Sequence, residues 1–302
     1  MEQLLFQKYY EITKGKYGPR MTLHSPWSEK IEKKIQRKGI VELYLNDALG
    51  WKSGNDLSFF RRLEQLISLQ ILDWNIKDLS AIHSLSNLRS LHVDTHCDSE
   101  IVFSCFPFLE DVGLEWRTNA KSLFDCTTLK KLFINCCEID DLSVFSKMQY
   151  LESLCLKSPS IKAIGDVSSL KNLKYLELGN AKNLTSIEGI EKLSNLEDLR
   201  FYICRKIRNI ELLKYLKKLK RLYLCNCGPI ESLKPLKSLK FLEDIYFCES
   251  TKILDGDLYS LKELPNLKKV YFPDRRHYNL KLFDFDPKEA KALGKLLKKF
   301  NK

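Results

Sequence analysis

LESLCLKSPSIKAIGDVSSLKN, residues 151–172, carries the pattern from which the fold follows. Apolar side chains fall at Leu151, Leu154, Leu156, Ile161, Ile164, Val167 and Leu170, and Leu173 opens the next stretch. Two periods are joined here. Leu154 and Leu156 alternate, as on a half-buried strand, whereas the later anchors recur every three residues, as in a tight helical turn. A unit this small cannot bury its own apolar face, so it must stack on copies of itself.

The copies are present. The spacing apolar-x-x-apolar-x-apolar begins at Ile40, Leu66, Leu88, Leu109, Leu129, Leu151, Leu173, Leu196, Leu219, Leu242 and Leu267. These eleven starts lie 20 to 26 residues apart, most often 22 or 23, and mark eleven strand seeds.

With this spacing, and with Ile161-x-x-Ile164 after the strand, the chain resembles the leucine-rich repeat proteins over residues 40–275. It is most similar to their internalin-like, 22-residue subclass. The resemblance implies an α/β solenoid: a right-handed superhelix with parallel strands on the concave face, short helical or irregular convex turns, and helical caps at both ends. It also implies a binding surface without naming a ligand. The family usually places Asn nine positions into the repeat, to satisfy loop backbone. Here that slot holds Trp74, His96, Arg117, Cys137, Pro159, Ala181, Cys204, Cys227 and Ser250. Cysteine is a substitute the family accepts; the others predict a less regular ascending loop.

Three segments are expected: an N-terminal cap over 1–39, the solenoid over 40–275, and a C-terminal cap or helix over 276–302. Gly15, Gly18 and Pro19 suggest that residues 1–24 are irregular. Ser25-Pro26 reads as a helix start for a cap helix over 27–38, with Trp27, Ile31 and Ile35 on one face. A loop at Ala48–Asn55 carries Trp51, either an exposed contact or a side chain tucked on the cap. The basic-aromatic run Pro273–Tyr278 could bind an anion, but closure of the last strand's edge is the expected role. Residues 287–300 read as an amphipathic helix with a lysine face.

The composition, 44% hydrophobic and 29% charged, suits a folded chain with a large core. The short patch Leu4-Leu5-Phe6 is no signal sequence, and no apolar run reaches the ~20 residues of a bilayer span, so a cytoplasmic protein away from membranes is expected. The ten cysteines lie between Cys97 and Cys248 without a C-x-x-C pair, and are expected to be reduced fillers rather than zinc ligands. His92, Asp94, His96, Cys97 and Cys126 are the nearest approach to a metal set; no metal or cofactor is expected. None of the common nucleotide, zinc-protease or serine-hydrolase motifs occurs, so no enzyme is expected. The charge of +11, densest over Arg205–Lys240, invites a nucleic-acid reading. Lysines at repeat spacing without a nucleic-acid motif are better explained as a solvated flank.

Function is therefore expected on the concave face, where strand side chains alternate outward. Repeats one to four offer Glu42, Asp73, Asp94, Asp111 and Glu115, an acidic surface beside Tyr44 and His92. The later repeats offer a basic, tyrosine-rich surface: Phe133, Lys157, Arg200, Tyr202, Arg221, Tyr223, Tyr246, Lys269 and Tyr271. Tyrosine and arginine dominate interface hot spots. The expectation is a monomeric, non-enzymatic scaffold binding a protein partner there, as an inhibitor or immunity-type neutraliser. An adaptor or regulatory subunit of a phosphatase- or ligase-type complex is the alternative.

Overall fold

The structure is a computed structural model and describes residues 9–285, apart from 53 and 55. The expected helix at 287–300 lies outside the described residues. The chain divides into two compact units, Met1–Asn135 and Cys136–Lys302.

The first unit opens with an antiparallel hairpin of β1 (Tyr10–Lys14) and β2 (Pro19–Leu23). This corrects the irregular segment expected over 1–24. Gly15 and Gly18 are the turn of the hairpin, joined by a 2.8 Å backbone bond from Gly15 N to Gly18 O, and Met21 and Leu23 alternate into the core. Helix α1 (Glu29–Arg37) follows, with Ile31 and Ile35 buried. It starts at Ser28 rather than Ser25, whose hydroxyl instead donates to Tyr9 O at 3.3 Å. Trp27 stacks on Phe59 with ring centroids 3.8 Å apart, and Glu32 binds Arg62. The strands β3 (Glu42–Asn46), β4 (Ser68–Leu72), β5 (Ser90–Asp94), β6 (Asp111–Glu115) and β7 (Lys131–Asn135) then pair in parallel and in sequence order, with β2 parallel to β3. Trp51 is fully buried, so it is not the exposed contact that its loop position allowed.

The second unit repeats the plan. Strands β8 (Ser153–Lys157), β9 (Tyr175–Gly179), β10 (Asp198–Tyr202) and β11 (Arg221–Cys225) are parallel neighbours. The two-residue strand β12 (Pro229–Ile230) follows β11, and β13 (Asp244–Cys248) pairs with β11. The short β14 (Lys252–Ile253) pairs with β12 on the opposite side of the coil. After a single helical turn, α2 (Tyr259–Lys262), β15 (Lys269–Tyr271) pairs with β13. All eleven sequence seeds are thus parallel strands, and the turns between them are mostly short 3-10 segments, as the three-residue anchor spacing required.

The core lies between strand and turn. Leu154, Leu156, Ile161 and Ile164 are fully buried, and Val167 and Leu170 nearly so. Each such side chain contributes about 1.5–3 kcal/mol by leaving water. The ascending loops satisfy their backbone without the usual asparagine. The Cys204 thiol donates to Leu178 O at 3.4 Å and the Cys227 thiol to Phe201 O at 3.4 Å, each reaching back one repeat. The hydrogen bond with the neighbouring Cys227 sulfur, together with burial, pushes the Cys204 thiol far up its range, so it stays protonated as a donor. Thr251 Oγ1 continues the series to Leu224 O at 2.7 Å. In the first unit the buried Arg117 does the same work, donating to Cys97 O and Thr95 O at 2.9 and 3.2 Å.

The run after β15 closes the edge. Tyr278 is buried and its hydroxyl accepts from Ile253 N at 3.0 Å, while Arg275 donates to Glu249 O at 2.9 Å.

Candidate protein-binding face

On β8, β9, β10, β11, β13 and β15 of the second unit the outward residues form three rows across the strands. The middle row is Cys155, Glu177, Arg200, Tyr223, Tyr246 and Tyr271, each in register with the next. The entry row is Ser153, Tyr175, Asp198, Arg221, Asp244 and Lys269. The exit row is Lys157, Gly179, Tyr202, Cys225 and Cys248.

Asp198 organises this face. Its carboxylate is buried, and it accepts from Arg200 at 2.9 and 3.0 Å and from Arg221 at 2.6 Å. That hydrogen bonding raises the Arg200 pKa against the opposing effect of burial, so its charge is permanent. The Arg200 guanidinium also lies over the Tyr223 ring at 4.4 Å and the Tyr175 ring at 5.2 Å. Tyr223 stacks on Tyr246 with centroids 4.6 Å apart and planes 1° from parallel, and Tyr271 continues the column at 6.3 Å. Tyr175 donates its hydroxyl to Glu177; burial and that carboxylate raise its pKa. Burial, with Glu177 beside it, pushes the Cys155 thiol up to about 12.

Arg200, Tyr202, Arg221, Tyr223, Tyr246 and Tyr271, all expected from sequence, therefore share one face, and Lys157 stands two strands before Tyr202 in the exit row. Sequence reasoning missed Asp198 and Tyr175. The signal was available: Asp198 is two residues before Arg200, so strand alternation puts both on one side. The face is also less basic than its cation count suggests. Lys157, Arg200, Arg221 and Lys269 are opposed by Glu177, Asp198 and Asp244.

In the first unit, Tyr44 and His92 lie in a middle row, with Gln70 between them and Gly113 and Phe133 after them. Asn46 donates to the Tyr44 hydroxyl at 2.7 Å. Gly113 leaves room for the His92 ring: a Cβ there would come within 2.3 Å of Nδ1. Asp94 and Glu115 are half-buried on the exit row; burial raises the Asp94 pKa, and Asn135 donates to Glu115 at 2.6 Å. The acidic surface expected here needs correction. Glu42 is 1% exposed and is held by Arg20 at 2.7 Å, because the unforeseen hairpin lays β2 against β3; Asp73 is also 1% exposed. Asp111 is bound by His92 at 3.2 Å.

The residues nearest to a metal set do not converge. His92 faces Asp111, His96 packs on Trp74 with centroids 4.2 Å apart, and Cys97 sits under Arg117. The expectation of uniformly reduced thiols is overturned at one place: Cys225 and Cys248 are joined as a disulfide. In-register neighbours on adjacent strands are close enough to bond, a proximity that cysteine spacing alone does not reveal.

The basic flank is largely engaged within the chain. Lys206 donates to Asn183, Lys214 to Glu211, Lys218 to Asn195, Lys220 to Glu197 and Lys237 to Glu263, all at 2.6–2.9 Å. No helix among the described residues is long and apolar enough to cross a membrane.

Stacked parallel strands, anchors at fixed spacing and backbone ladders between coils define a leucine-rich repeat solenoid fold. Residues 121–254 match the BspA type leucine rich repeat region in six copies. Among solved structures, the chain is similar to an internalin (inlF) from Listeria monocytogenes, with 20% identity, 79% of this chain and 77% of that chain covered, and a TM-score of 0.55. Internalin C2 of the same organism gives 20% identity, 71% and 84% coverage, and a TM-score of 0.48. A leucine-rich repeat protein of Leptospira interrogans gives 20% identity, 82% and 75% coverage, and 0.45. At these identities the likeness is one of fold. No curated protein matches the chain in sequence. Leucine-rich repeat folds generally serve as protein-interaction scaffolds and are typically non-enzymatic.

Proposed function

We propose that this chain is a non-enzymatic binding protein that docks one protein partner on the outward face of β9, β10, β11, β13 and β15 and neutralises it by occupying its working surface. The observation that carries the proposal is the pinning of Arg200. One buried carboxylate and two tyrosine rings hold its guanidinium, so a hot-spot side chain is ordered before any partner arrives. Tyr223, Tyr246 and Tyr271 add a column of rings with hydroxyl tips, which suits a partner surface with both apolar and hydrogen-bonding groups.

The test is affinity capture from the native cell with the unmodified chain and with a Tyr202→Ala, Tyr223→Ala, Tyr246→Ala variant whose circular dichroism confirms the fold. A partner bound by the first and weakened at least ~10-fold in the second, about 1.4 kcal/mol, supports the face. Equal capture by both removes it. Stoichiometric loss of the captured partner's own activity on adding this chain separates a neutraliser from an adaptor.

A further inference from the structure

Eight of the ten cysteines remain as thiols, and four of those, Cys97, Cys137, Cys204 and Cys227, are buried in the coils. Cys225 and Cys248 differ from them. They are half-buried, they point outward from the sheet, and they face each other across β11 and β13. They also lie on the exit row beside Tyr202, on the two strands that carry the stacked Tyr223 and Tyr246.

We propose that Cys225 and Cys248 are a reversible dithiol–disulfide site that exchanges with small-molecule disulfides. Adjacent strands in a sheet are held about 4.7–4.9 Å apart by their hydrogen bonds. The Cα atoms of this pair are 4.8 Å apart, inside the range for a disulfide. The sheet therefore keeps the two sulfurs adjacent whether or not they are bonded. That proximity favours rapid closure, and a partly exposed site gives the reagent access in both directions.

The exchange balances as two displacements. One cysteine thiolate attacks a sulfur of the small disulfide, forms a mixed disulfide and expels one small thiolate. The other cysteine thiolate attacks the protein sulfur of that mixed disulfide and expels the second. Two protein thiols become one protein disulfide, the small disulfide becomes two thiols, and the two protons pass to the departing thiolates. Closure joins repeats nine and ten across 23 residues of sequence. The site stands independently of the proposed partner, although it would tie together the strands that present the tyrosine column.

The test incubates the folded full chain in glutathione buffers from fully reducing to fully oxidising, quenches with acid and alkylates the free thiols. Peptide mass spectrometry then follows a Cys225–Cys248 crosslink. The expected result is a crosslink that rises and falls reversibly with the glutathione ratio and is abolished in Cys225→Ser. Amide exchange on β11 and β13 should slow by up to about three hundredfold on oxidation, the size expected for closing a loop of this length. Separate glutathione adducts on Cys225 and Cys248 without the crosslink would overturn the proposal. So would a crosslink that excess dithiothreitol cannot open in the folded chain. Partner capture can succeed or fail whatever these thiols do, so the two proposals fail separately.

Discussion

Asp198 shows how much one short side chain can fix. It is 2% exposed and sits between two guanidinium groups that are themselves partly in water. Replacing it with alanine leaves both arginines without their carboxylate and frees Arg200 from its place between the rings. Asp198→Ala should cost roughly 1–3 kcal/mol in urea unfolding, less than a fully buried pair because the arginines stay solvated. Ile203 gives the opposite case. Its φ is +60°, a left-handed conformation that a side chain branched at Cβ resists, while Asn180 and Asn226 occupy the equivalent slots of neighbouring repeats. Ile203→Asn should raise stability by about 0.5–1 kcal/mol, read from the urea midpoint. Asp111 adds a pH signature. Burial alone would raise its pKa, but the hydrogen bond and charge of His92, with Lys16 and Lys131, hold it below the usual range. A depressed carboxylate stabilises the fold above its unfolded pKa and loses that contribution as pH falls through the folded value. Asp111→Asn should therefore cost up to ~1 kcal/mol at about pH 6, and the cost should shrink as pH falls below the ordinary carboxylate value of about 4.

At the scale of the element, strand positions were legible and the ladders were not. Leu154 and Leu156 announce a strand by alternation alone, because a buried face leaves no freedom of register. The hairpin of β1 and β2 was hidden by its glycines, which read as breakers although Met21 and Leu23 already alternate. An asparagine ladder does exist, but one residue before the strand anchors rather than in the ninth slot. Asn87, Asn172, Asn195 and Asn266 each donate to a carbonyl of the preceding coil at 2.7–2.9 Å. The recurring Asn-Leu pair was visible; its partner lies more than 20 residues away and becomes apparent only after stacking. The same holds for the candidate face: Arg200 and the tyrosines follow from alternation, whereas the grip of Asp198 on Arg221 joins two strands. Charges at the strand entry also pair between coils: Lys174 with Glu152, Lys220 with Glu197, and Lys268 with Glu243. Lys220→Glu would set three carboxylates side by side. It should lower the urea midpoint at low salt, and the deficit should shrink at about 1 M sodium chloride, where screening acts within ~3 Å.

At the scale of the whole chain, identical coils are interchangeable in principle, since repeat proteins gain and lose units without losing their fold. The entry charges restrict that freedom, because along Glu152, Lys174, Glu197, Lys220, Glu243 and Lys268 the sign reverses at every step. Excising residues 196–218 would bring Lys174 against Lys220, whereas excising residues 196–241 would bring it against Glu243. The shorter deletion should unfold at a lower urea concentration than the longer one despite keeping more of the protein, when both are compared at low salt. The sheet edge thus imposes a parity on its own growth: coils should be added or removed in twos, much as a two-colour tiling tolerates only even shifts.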